Sequence, residues 1–308
     1  MNARVSHISI RSLWTLCVIS GLALACGPAH AAALDAFAIS KAAGTKATVQ
    51  GDGVVKIGWS RSDVPVLVDG VRLSPAAGLG SWAAFAPMGN QAMVMGDTVV
   101  FQDEVDAAMD AAFAHGLNVT GLHNHFFYDQ PMVFFMHIEG EGSPAKLASD
   151  VKAVWDAIKA VRAARPQPAE GFGGMTPKPG KLDAQALAKI VGHPVAANNG
   201  SPKFTIGTTG RMHGGTIGAS MGLTTWAAFS GSDDLAAMDG DFIMRADEVQ
   251  PVLHALRKVG IHVVALHNHM IGGEPVFYFT HFWGNGKAAD LARGFRAALD
   301  AQTAVAKH

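Results

Sequence analysis

The string Leu-His-Asn-His occurs twice in this sequence, at residues 122–125 and again, 144 positions later, at residues 266–269. The identity continues outward on both sides of this string. Between residues 80–142 and 224–286, 22 of 63 aligned positions are identical without a gap. A repeat of this length predicts that one structural unit is present twice in the chain.

The repeat divides the chain into two units joined by a linker. The first unit is predicted over residues 32–163 and the second over residues 182–308. Residues 164–181 between them are rich in proline and glycine, which is typical of a linker or an extended loop. The sequence leaves open whether the units are separate domains or the two halves of one domain with pseudo-two-fold symmetry.

Each unit is predicted to have the element order ββαββα. Apolar runs indicate the strands, and a helical spacing of apolar residues indicates the helices. This order favours an α+β fold with antiparallel sheets and with the helices on one face. In the first unit the strands are predicted at residues 82–85, 92–101, 118–127 and 131–139. The first helix is predicted to run from an Asp103 N-cap to Gly116, and the second to begin at Ser143-Pro144. In the second unit Asp247 and Gly260 repeat the signals of the first helix.

Six histidines occupy equivalent positions in the two units, unlike the other histidines of the chain. Alternate residues of a strand point to the same face, so His123 and His125 are expected to lie side by side. His137 joins them if the next strand pairs odd-numbered with odd-numbered residues, whereas a shift of one residue sends it to the other face. The sequence therefore predicts two histidine triads: His123, His125 and His137 in the first unit, and His267, His269 and His281 in the second.

Three converging imidazoles are typical of a site for a divalent transition metal such as zinc or copper. Glu139 follows His137 by two residues, so it is expected on the same face, as a fourth ligand or a catalytic general base. Its counterpart in the second unit is Trp283, which makes the first unit the better candidate for catalysis. The alternative is that the histidines form a buried structural network, satisfied by backbone groups or by one another.

Other repeated or clustered residues are expected to serve the structure. Asn124 and Asn268, which lie between paired histidines, are expected to hydrogen-bond to the backbone. Trp82 and Trp226 are interpreted as core residues. Core packing is also expected for a group of methionines near the histidines, since few of them recur in the second unit: Met88, Met93, Met95, Met132 and Met136.

Residues 1–31 have the features of a signal peptide. Two arginines precede an apolar run that is too short for a transmembrane span, and Ala29-His30-Ala31 is a small-x-small cleavage site. Export to the periplasm is therefore expected, and cleavage would remove both Cys17 and Cys26. The alternative is a lipid anchor attached to Cys26.

The composition excludes several classes of protein. Charged residues make up 16% of the chain and hydrophobic residues 49%, which excludes a disordered protein. The net charge of −1 becomes 22 − 25 = −3 without residues 1–31, which gives no basic surface for nucleic acid. No transmembrane segment is predicted after residue 31. The expected partner is therefore a small molecule or a component of the cell envelope.

The repeated Leu-His-Asn-His string resembles an uncharacterised bacterial family named after the mycobacterial lipoproteins LppY and LpqO. The downstream Pro-x-x-x-Phe-x-His and the upstream Trp-Ala-Ala-Phe and Gly-Asp share this resemblance, which covers both units. It implies an exported or lipid-anchored protein with two tandem copies of the domain, and it implies no established activity.

Three functions remain open on the sequence alone. The first is binding of a transition metal, or of a ligand that carries one, by the two triads. The second is metal-dependent hydrolysis of an envelope substrate with Glu139 as general base. The third is a non-catalytic structural or interaction role in the envelope.

Overall fold

Each unit contributes six strands to one antiparallel sheet of twelve strands. The structure is a computed structural model and describes residues 33–198 and 200–305. The mixed class with antiparallel sheets is confirmed. Numbered in chain order, the strands of this large sheet are, from one edge to the other, β1 (Ala47–Val49), β2 (Val55–Ser60), β5 (Gly80–Met88), β6 (Gln91–Phe101), β9 (Val133–Gly142), β7 (Asn118–His123), β16 (His262–His267), β18 (Tyr278–Gly286), β15 (Ala236–Met244), β14 (Thr224–Gly231), β11 (Ser201–Gly207) and β10 (Val195–Asn198).

The order of strands from the middle of the sheet outward is the same in the two units. β7 and β16 pair at the middle through Leu122 and Leu266, which are equivalent residues of the repeat. Outward from them come β9, β6 and β5 in the first unit, and β18, β15 and β14 in the second. The register also repeats, since Asp97 lies opposite His137 and Asp241 lies opposite His281. The repeat in the sequence is thus also a repeat in strand order and register.

The helices cover one face of the large sheet and bury the main core against it. Leu122 and Leu266 belong to this core and are 1% and 4% exposed. Because side chains alternate along a strand, the residues next to these leucines point to the opposite, open face. The helices are α1 (Ala36–Ala43), α2 (Val105–Ala114) and α3 (Pro144–Ala164) in the first unit, and α4 (Ala184–Val191), α5 (Ala246–Lys258) and α6 (Ala288–Val305) in the second, with short 3₁₀ turns at Pro75–Ala77, Gln102–Glu104 and Ala219–Met221.

Part of the open face is covered in each unit by a small three-stranded sheet. In the first unit a second core forms there, and it includes Val99, Phe101 and Phe135 of the large sheet. In the second unit Ile243 and Phe279 take part in the equivalent core. The rest of the open face is left to the histidines. The small sheets consist of β4 (Val71–Arg72), β3 (Leu67–Val68) and β8 (Asp129–Gln130), and of β13 (Gly215–Ile217), β12 (Gly210–Met212) and β17 (Gly273–Glu274).

Glutamates, rather than the predicted aspartates, cap the turns that follow β6 and β15. The Glu104 carboxylate accepts a hydrogen bond from the Phe101 N–H at 2.9 Å, and the Glu248 carboxylate accepts one from the Arg245 N–H at 2.8 Å. Asp103 instead forms an ion pair with Arg162. The prediction of aspartate caps is wrong because the longer glutamate side chain, one residue later, reaches back to the amide that precedes the turn.

The predicted core methionines lie mostly at the surface. Met93 and Met95 are 38% and 55% exposed, while Met136 is fully buried. The reason is the alternation along β6, where Ala92 and Val94 point into the core and the methionines point to the open face. Met88 and Met132 are likewise exposed. The interpretation of all but Met136 as core residues is therefore wrong.

The predicted signal peptide, with Cys17 and Cys26, lies outside the described residues. Within the part of the chain that the structure describes, no helix is both long and apolar enough to cross a membrane. Residues 165–183 connect α3 to α4 and contain neither a helix nor a strand.

Candidate metal centre

The second triad brings three imidazoles together on the open face. His267 is the last residue of β16, and His281 lies on the neighbouring β18 opposite Ala265. This odd-with-odd register is the one that places both histidines on one face. One ring nitrogen from each of His267, His269 and His281 can be chosen so that all three lie within 4.8 Å of one another. The second triad could therefore hold a metal ion.

A buried aspartate completes this group from the next strand. Asp241 lies opposite His281 in the register, and its side chain is 4% exposed. Its carboxylate oxygens lie 3.7 Å from His269 Nε2 and 3.9 Å from His281 Nδ1. Oδ1 is buried and has no hydrogen-bond partner among the residues that the structure describes. A buried carboxylate oxygen that faces imidazoles and has no protein partner is the arrangement expected of a metal ligand.

The electrostatics of the second unit favour a cation at this position. Burial raises the pKa of Asp241 to about 6, although the charge on His281 opposes the shift and Asp239 adds to it. Burial also lowers the pKa of His267 and of His269, with a further lowering from the charge of His281. The imidazoles of His267 and His269 therefore favour the neutral form, which is the form that binds metal ions.

The first triad has the same residues at similar ring separations, but two of its ring nitrogens are in direct contact. His123 Nε2 and His137 Nε2 lie 2.9 Å apart, within hydrogen-bond distance. The His123 ring also stacks against His125, with 5.2 Å between ring centroids. Asp97 is the equivalent of Asp241; it is 8% exposed and its Oδ1 is likewise unpartnered. Burial raises the pKa of Asp97, and the charges of the three histidines oppose this shift.

The middle histidine of each triad lies just beyond the strand and is held by an aromatic ring. β7 ends at His123 and not at residue 127 as predicted, so His125 belongs to the loop that follows. His125 stacks on Phe135 with 3.3 Å between ring centroids, and His269 stacks on Phe279 at 3.5 Å. These stacks orient histidines that the strand no longer positions.

The asparagines between the histidines serve the backbone. Asn124 Nδ2 donates to the Val133 carbonyl at 3.0 Å, and Asn268 Nδ2 donates to the Phe277 carbonyl at 2.6 Å. Each hydrogen bond links the loop after β7 or β16 to the start of the neighbouring strand, β9 or β18 respectively. This is the structural role that the sequence predicted.

A lysine and a tryptophan flank each candidate site on the open face. Trp82 lies opposite Asp97 and Trp226 lies opposite Asp241. Lys56 Nζ lies 4.4 Å from the centre of the Trp82 ring, and Lys203 Nζ lies 4.2 Å from that of Trp226. Both tryptophans are only half-buried, so the interpretation of these residues as core is wrong.

Sequence reasoning found the histidines but missed the two aspartates. Asp97 and Asp241 were visible as a repeated Gly-Asp pair, and an acidic residue repeated within an apolar strand is the signal that could have found them. Glu139 lies on β9 two residues after His137, opposite Met95 rather than opposite Asp97. Its role as a general base stays a prediction.

A family model described as Domain of Unknown Function (DUF1259) matches this chain twice, over residues 37–157 and 185–301. The chain belongs to this DUF1259 family. Both matches span a whole histidine triad together with its aspartate, so each DUF1259 copy contains one complete candidate site. No curated protein matches the sequence.

Solved structures with distant similarity to this DUF1259 protein are shell proteins of bacterial microcompartments. The trimeric shell protein PduB is 10% identical, with 84% of this chain and 92% of that chain covered and a TM-score of 0.20. EtuB from Clostridium kluyveri is 12% identical, with 84% and 91% covered and a TM-score of 0.21. EutL from Clostridium perfringens is 13% identical, with 70% and 80% covered and a TM-score of 0.19. These TM-scores are too low to support any inference about this chain.

Proposed function

We propose that each unit of this protein binds one divalent transition metal ion through three histidines and one aspartate. The observation that carries the proposal is the buried Asp241 carboxylate, which has an unpartnered oxygen and lies within 4 Å of two histidines of the second triad. A buried carboxylate without a partner is costly, and a cation offsets that cost.

The donor set limits which metals are suitable. Three imidazole nitrogens and one carboxylate oxygen suit zinc and copper better than magnesium or calcium, which prefer oxygen ligands. The triads also lie on an open face, where the His269 and His281 side chains are 37% and 43% exposed. An ion held there stays accessible to a further ligand from solution, which supports binding of a metal or of a small molecule attached to it.

Metal analysis of matched variants tests this proposal. The protein is purified without an affinity tag or chelator, dialysed with zinc, and its metal content is measured by elemental analysis. We expect two zinc ions per chain in the wild type. We expect one in the His267→Ala/His281→Ala variant, one in the His123→Ala/His137→Ala variant, and none in the variant with all four changes.

The control is His193→Ala, which removes a histidine outside both triads and should keep both ions. Circular dichroism of each variant checks that it is folded. If the variant with four changes binds as much zinc as the wild type, the proposal is wrong, and the histidines then form a structural network.

A second candidate function is metal-dependent hydrolysis, and Glu139 of the first unit is the observation that favours it. Glu139 lies on the same strand and face as His137, and Trp283 takes its place in the second unit. A carboxylate beside a metal-bound water can accept its proton. The Glu139→Gln variant should keep its zinc but hydrolyse an activated phenyl ester at least roughly a hundredfold more slowly, while Glu141→Gln serves as a control. Equal rates in wild type and Glu139→Gln would exclude this role.

We also propose the finer features that the sequence suggests for the chain as a whole. The mirrored strand order around Leu122 and Leu266 supports a pseudo-two-fold relation between ββαββα units, each preceded by a further helix and strands. The features of residues 1–31 support export to the periplasm, and the repeated motifs support membership of the LppY and LpqO family. Cell fractionation with and without residues 1–31 tests the export, which would be contradicted by retention of both forms in the cytoplasm.

A further inference from the structure

The two candidate sites lie on the same face of the sheet, on either side of one strand boundary. Leu122 and Leu266 pair across this boundary and both point into the helix-side core. Their neighbours therefore point to the open face in both strands. His123 and His267 are such neighbours, and each is only half-buried.

The register at this boundary brings the two triads close together. An antiparallel pair at Leu122 and Leu266 sets Gly121 beside His267, and sets His123 beside Ala265. Gly121 in turn lies opposite His137, and Ala265 lies opposite His281. Only one strand therefore separates a histidine of one triad from a histidine of the other.

Strand spacing gives the scale of this separation. Neighbouring strands are about 4.8 Å apart, so His137 and His267 are separated by roughly 10 Å between Cα atoms. His123 and His267 are diagonal neighbours on adjacent strands, a relation that places their side chains roughly 7–8 Å apart. This distance is far shorter than the width of either half of the sheet.

The residues at the boundary leave the space between the triads open. The positions between them are Gly121 and Ala265, which have the two smallest side chains. A Cβ atom placed on Gly121 would lie 3.0 Å from His137 Cδ2, so the His137 ring already leans over this glycine toward the boundary. The small residues thus allow the two groups of imidazoles to approach each other.

We propose that the two sites form one two-ion centre, in which the ions lie roughly 10–15 Å apart across the β7–β16 boundary, since two to three strand spacings separate their ligands. The centre takes two divalent transition metal ions, one per unit. This inference rests on the proposed function, because it needs both sites to bind metal. It goes further because the two binding events then depend on each other.

Charge repulsion gives the size and the sign of this dependence. Two partly neutralised ions roughly 10–15 Å apart on a solvated face repel each other, and at low ionic strength the second ion is expected to bind roughly two- to threefold more weakly than it would alone. Salt screens this repulsion, so the difference should shrink at high ionic strength.

Electron paramagnetic resonance with Cu²⁺ as the probe tests the two-ion centre on the full chain. The wild type is loaded with two equivalents of Cu²⁺, and its spectrum is compared with the spectra of two single-site variants. The His267→Ala/His281→Ala variant keeps the first site, and the His123→Ala/His137→Ala variant keeps the second. We expect dipolar broadening in the wild type that the sum of the two single-site spectra does not contain.

The outcomes separate this inference from the proposed function. If the wild type binds two Cu²⁺ ions and its spectrum equals the sum of the single-site spectra, the two-ion centre is wrong and the metal-binding function stands. If no chain binds Cu²⁺ or Zn²⁺, both fail. Calorimetry at low ionic strength adds a second readout: the first site alone, in the His267→Ala/His281→Ala variant, should bind roughly two- to threefold more tightly than the second binding event in the wild type.

Discussion

The two units carry the same four candidate ligands but hold them differently. In the first unit His123 and His137 lie within hydrogen-bond distance of each other, at 2.9 Å between their Nε2 atoms. In the second unit the rings of His267 and His281 are tilted by 39°, against 26° for His123 and His137, and one ring nitrogen from each histidine lies within 4.8 Å of the others. The second triad could hold an ion in this arrangement, whereas the first would have to break a contact between two of its own histidines before it could do so.

A single side chain accounts for part of this difference. Gly121 lies under His137 in the first unit, and Ala265 lies under His281 in the second. A Cβ atom on Gly121 would come within 3.0 Å of the His137 ring, which is closer than such contacts normally are. The glycine therefore permits a ring position that an alanine would shift by a few tenths of an ångström.

The units also differ in the buried charges beside the sheet. In the first unit Arg61 is fully buried and pairs with Glu104, at 2.8 Å, and with Asp63. The Arg61 N–H donates to the Leu79 carbonyl and the Thr208 N–H donates to the equivalent Leu223 carbonyl, so Thr208 takes the place of Arg61 in the second unit. A cavity of about 460 Å³ there is lined by Thr208, Thr225 and Glu248 among others. A charged network thus stabilises one unit at a place where the other has open space.

Removal of Arg61 should have the largest effect on stability. An Arg61→Met change leaves Glu104 buried without one of its cationic partners, so we expect the free energy of unfolding to fall by about 3–5 kcal/mol. Burial opposes the charge on Arg61, but the hydrogen bonds and charges of Asp63 and Glu104 outweigh it and raise the pKa of the guanidinium. The measurement is urea unfolding followed by circular dichroism.

The matched change in the second unit is Thr208→Ala. This threonine has no buried charge to satisfy, so its loss should cost less than about 1 kcal/mol. Equal losses for the two variants would contradict the view that the charged network is specific to the first unit.

The next largest effect is expected from Asp241 in the metal-free protein. Its folded-state pKa of about 6 lies above the ordinary value of 3.8, so the folded state disfavours the carboxylate. Between these two values the folded protein binds more protons than the unfolded protein, and stability must fall as the pH rises. Asp241→Asn should therefore stabilise the metal-free protein by about 2 kcal/mol near pH 7 and make little difference below about pH 4.

Asp97→Asn is the comparison for this prediction. Burial raises the pKa of Asp97 as well, but three histidine charges oppose the shift, so the stabilisation should be smaller than for Asp241→Asn. Unfolding curves across the pH range, in the presence of a chelator, measure both variants. A stability gain for Asp241→Asn that persists unchanged at low pH would show that the carboxylate charge is not its cause.

Local signals in the sequence predicted the elements of each unit and the two triads. Glycines such as Gly116 and Gly260 end helices with positive φ values of 78° and 76°, which few other residues adopt. Because side chains alternate along a strand, His123 shares a face with His137 when odd-numbered residues of β7 pair with odd-numbered residues of β9, as Gly121 does with His137. These features depend on residues that are close in the sequence, and they could therefore be predicted from it.

Two features depend on contacts between residues that are distant in the sequence. These are the position of the aspartates beside the histidines and the joining of the two six-stranded halves into one sheet. Asp97 and His137 are neighbours only because β6 pairs with β9, a choice of partner that no local pattern specifies. The pairing of β7 with β16 involves a single register pair of leucines that look like any other core residues. For the same reason the sequence could not decide between separate domains and one shared sheet.

The zinc affinities of the two units are also expected to differ, by less free energy than the two stability effects above. Since ion binding in the first unit must break the His123–His137 hydrogen bond, worth about 1 kcal/mol, the first site should be roughly fivefold weaker than the second. Calorimetry of the two single-site variants measures each affinity alone. A first site that binds as tightly as the second would mean that the hydrogen bond does not compete with the ion.

The smallest expected effect comes from exchanging the residue beneath the ring, which tests the cause of that difference directly. Gly121→Ala adds a Cβ atom 3.0 Å from His137 Cδ2, so the ring must shift by a few tenths of an ångström and the His123–His137 hydrogen bond is expected to weaken. Loss of part of one hydrogen bond predicts a gain of roughly threefold in zinc affinity at the first site, measured by calorimetry in the His267→Ala/His281→Ala background. The reciprocal change, Ala265→Gly, should lower the affinity of the second site by a similar factor, because it gives His281 the freedom that His137 has. If both changes leave both affinities unaltered, the backbone rather than this one side chain determines how each triad is held. The difference between the units would then lie in the loops that carry His125 and His269.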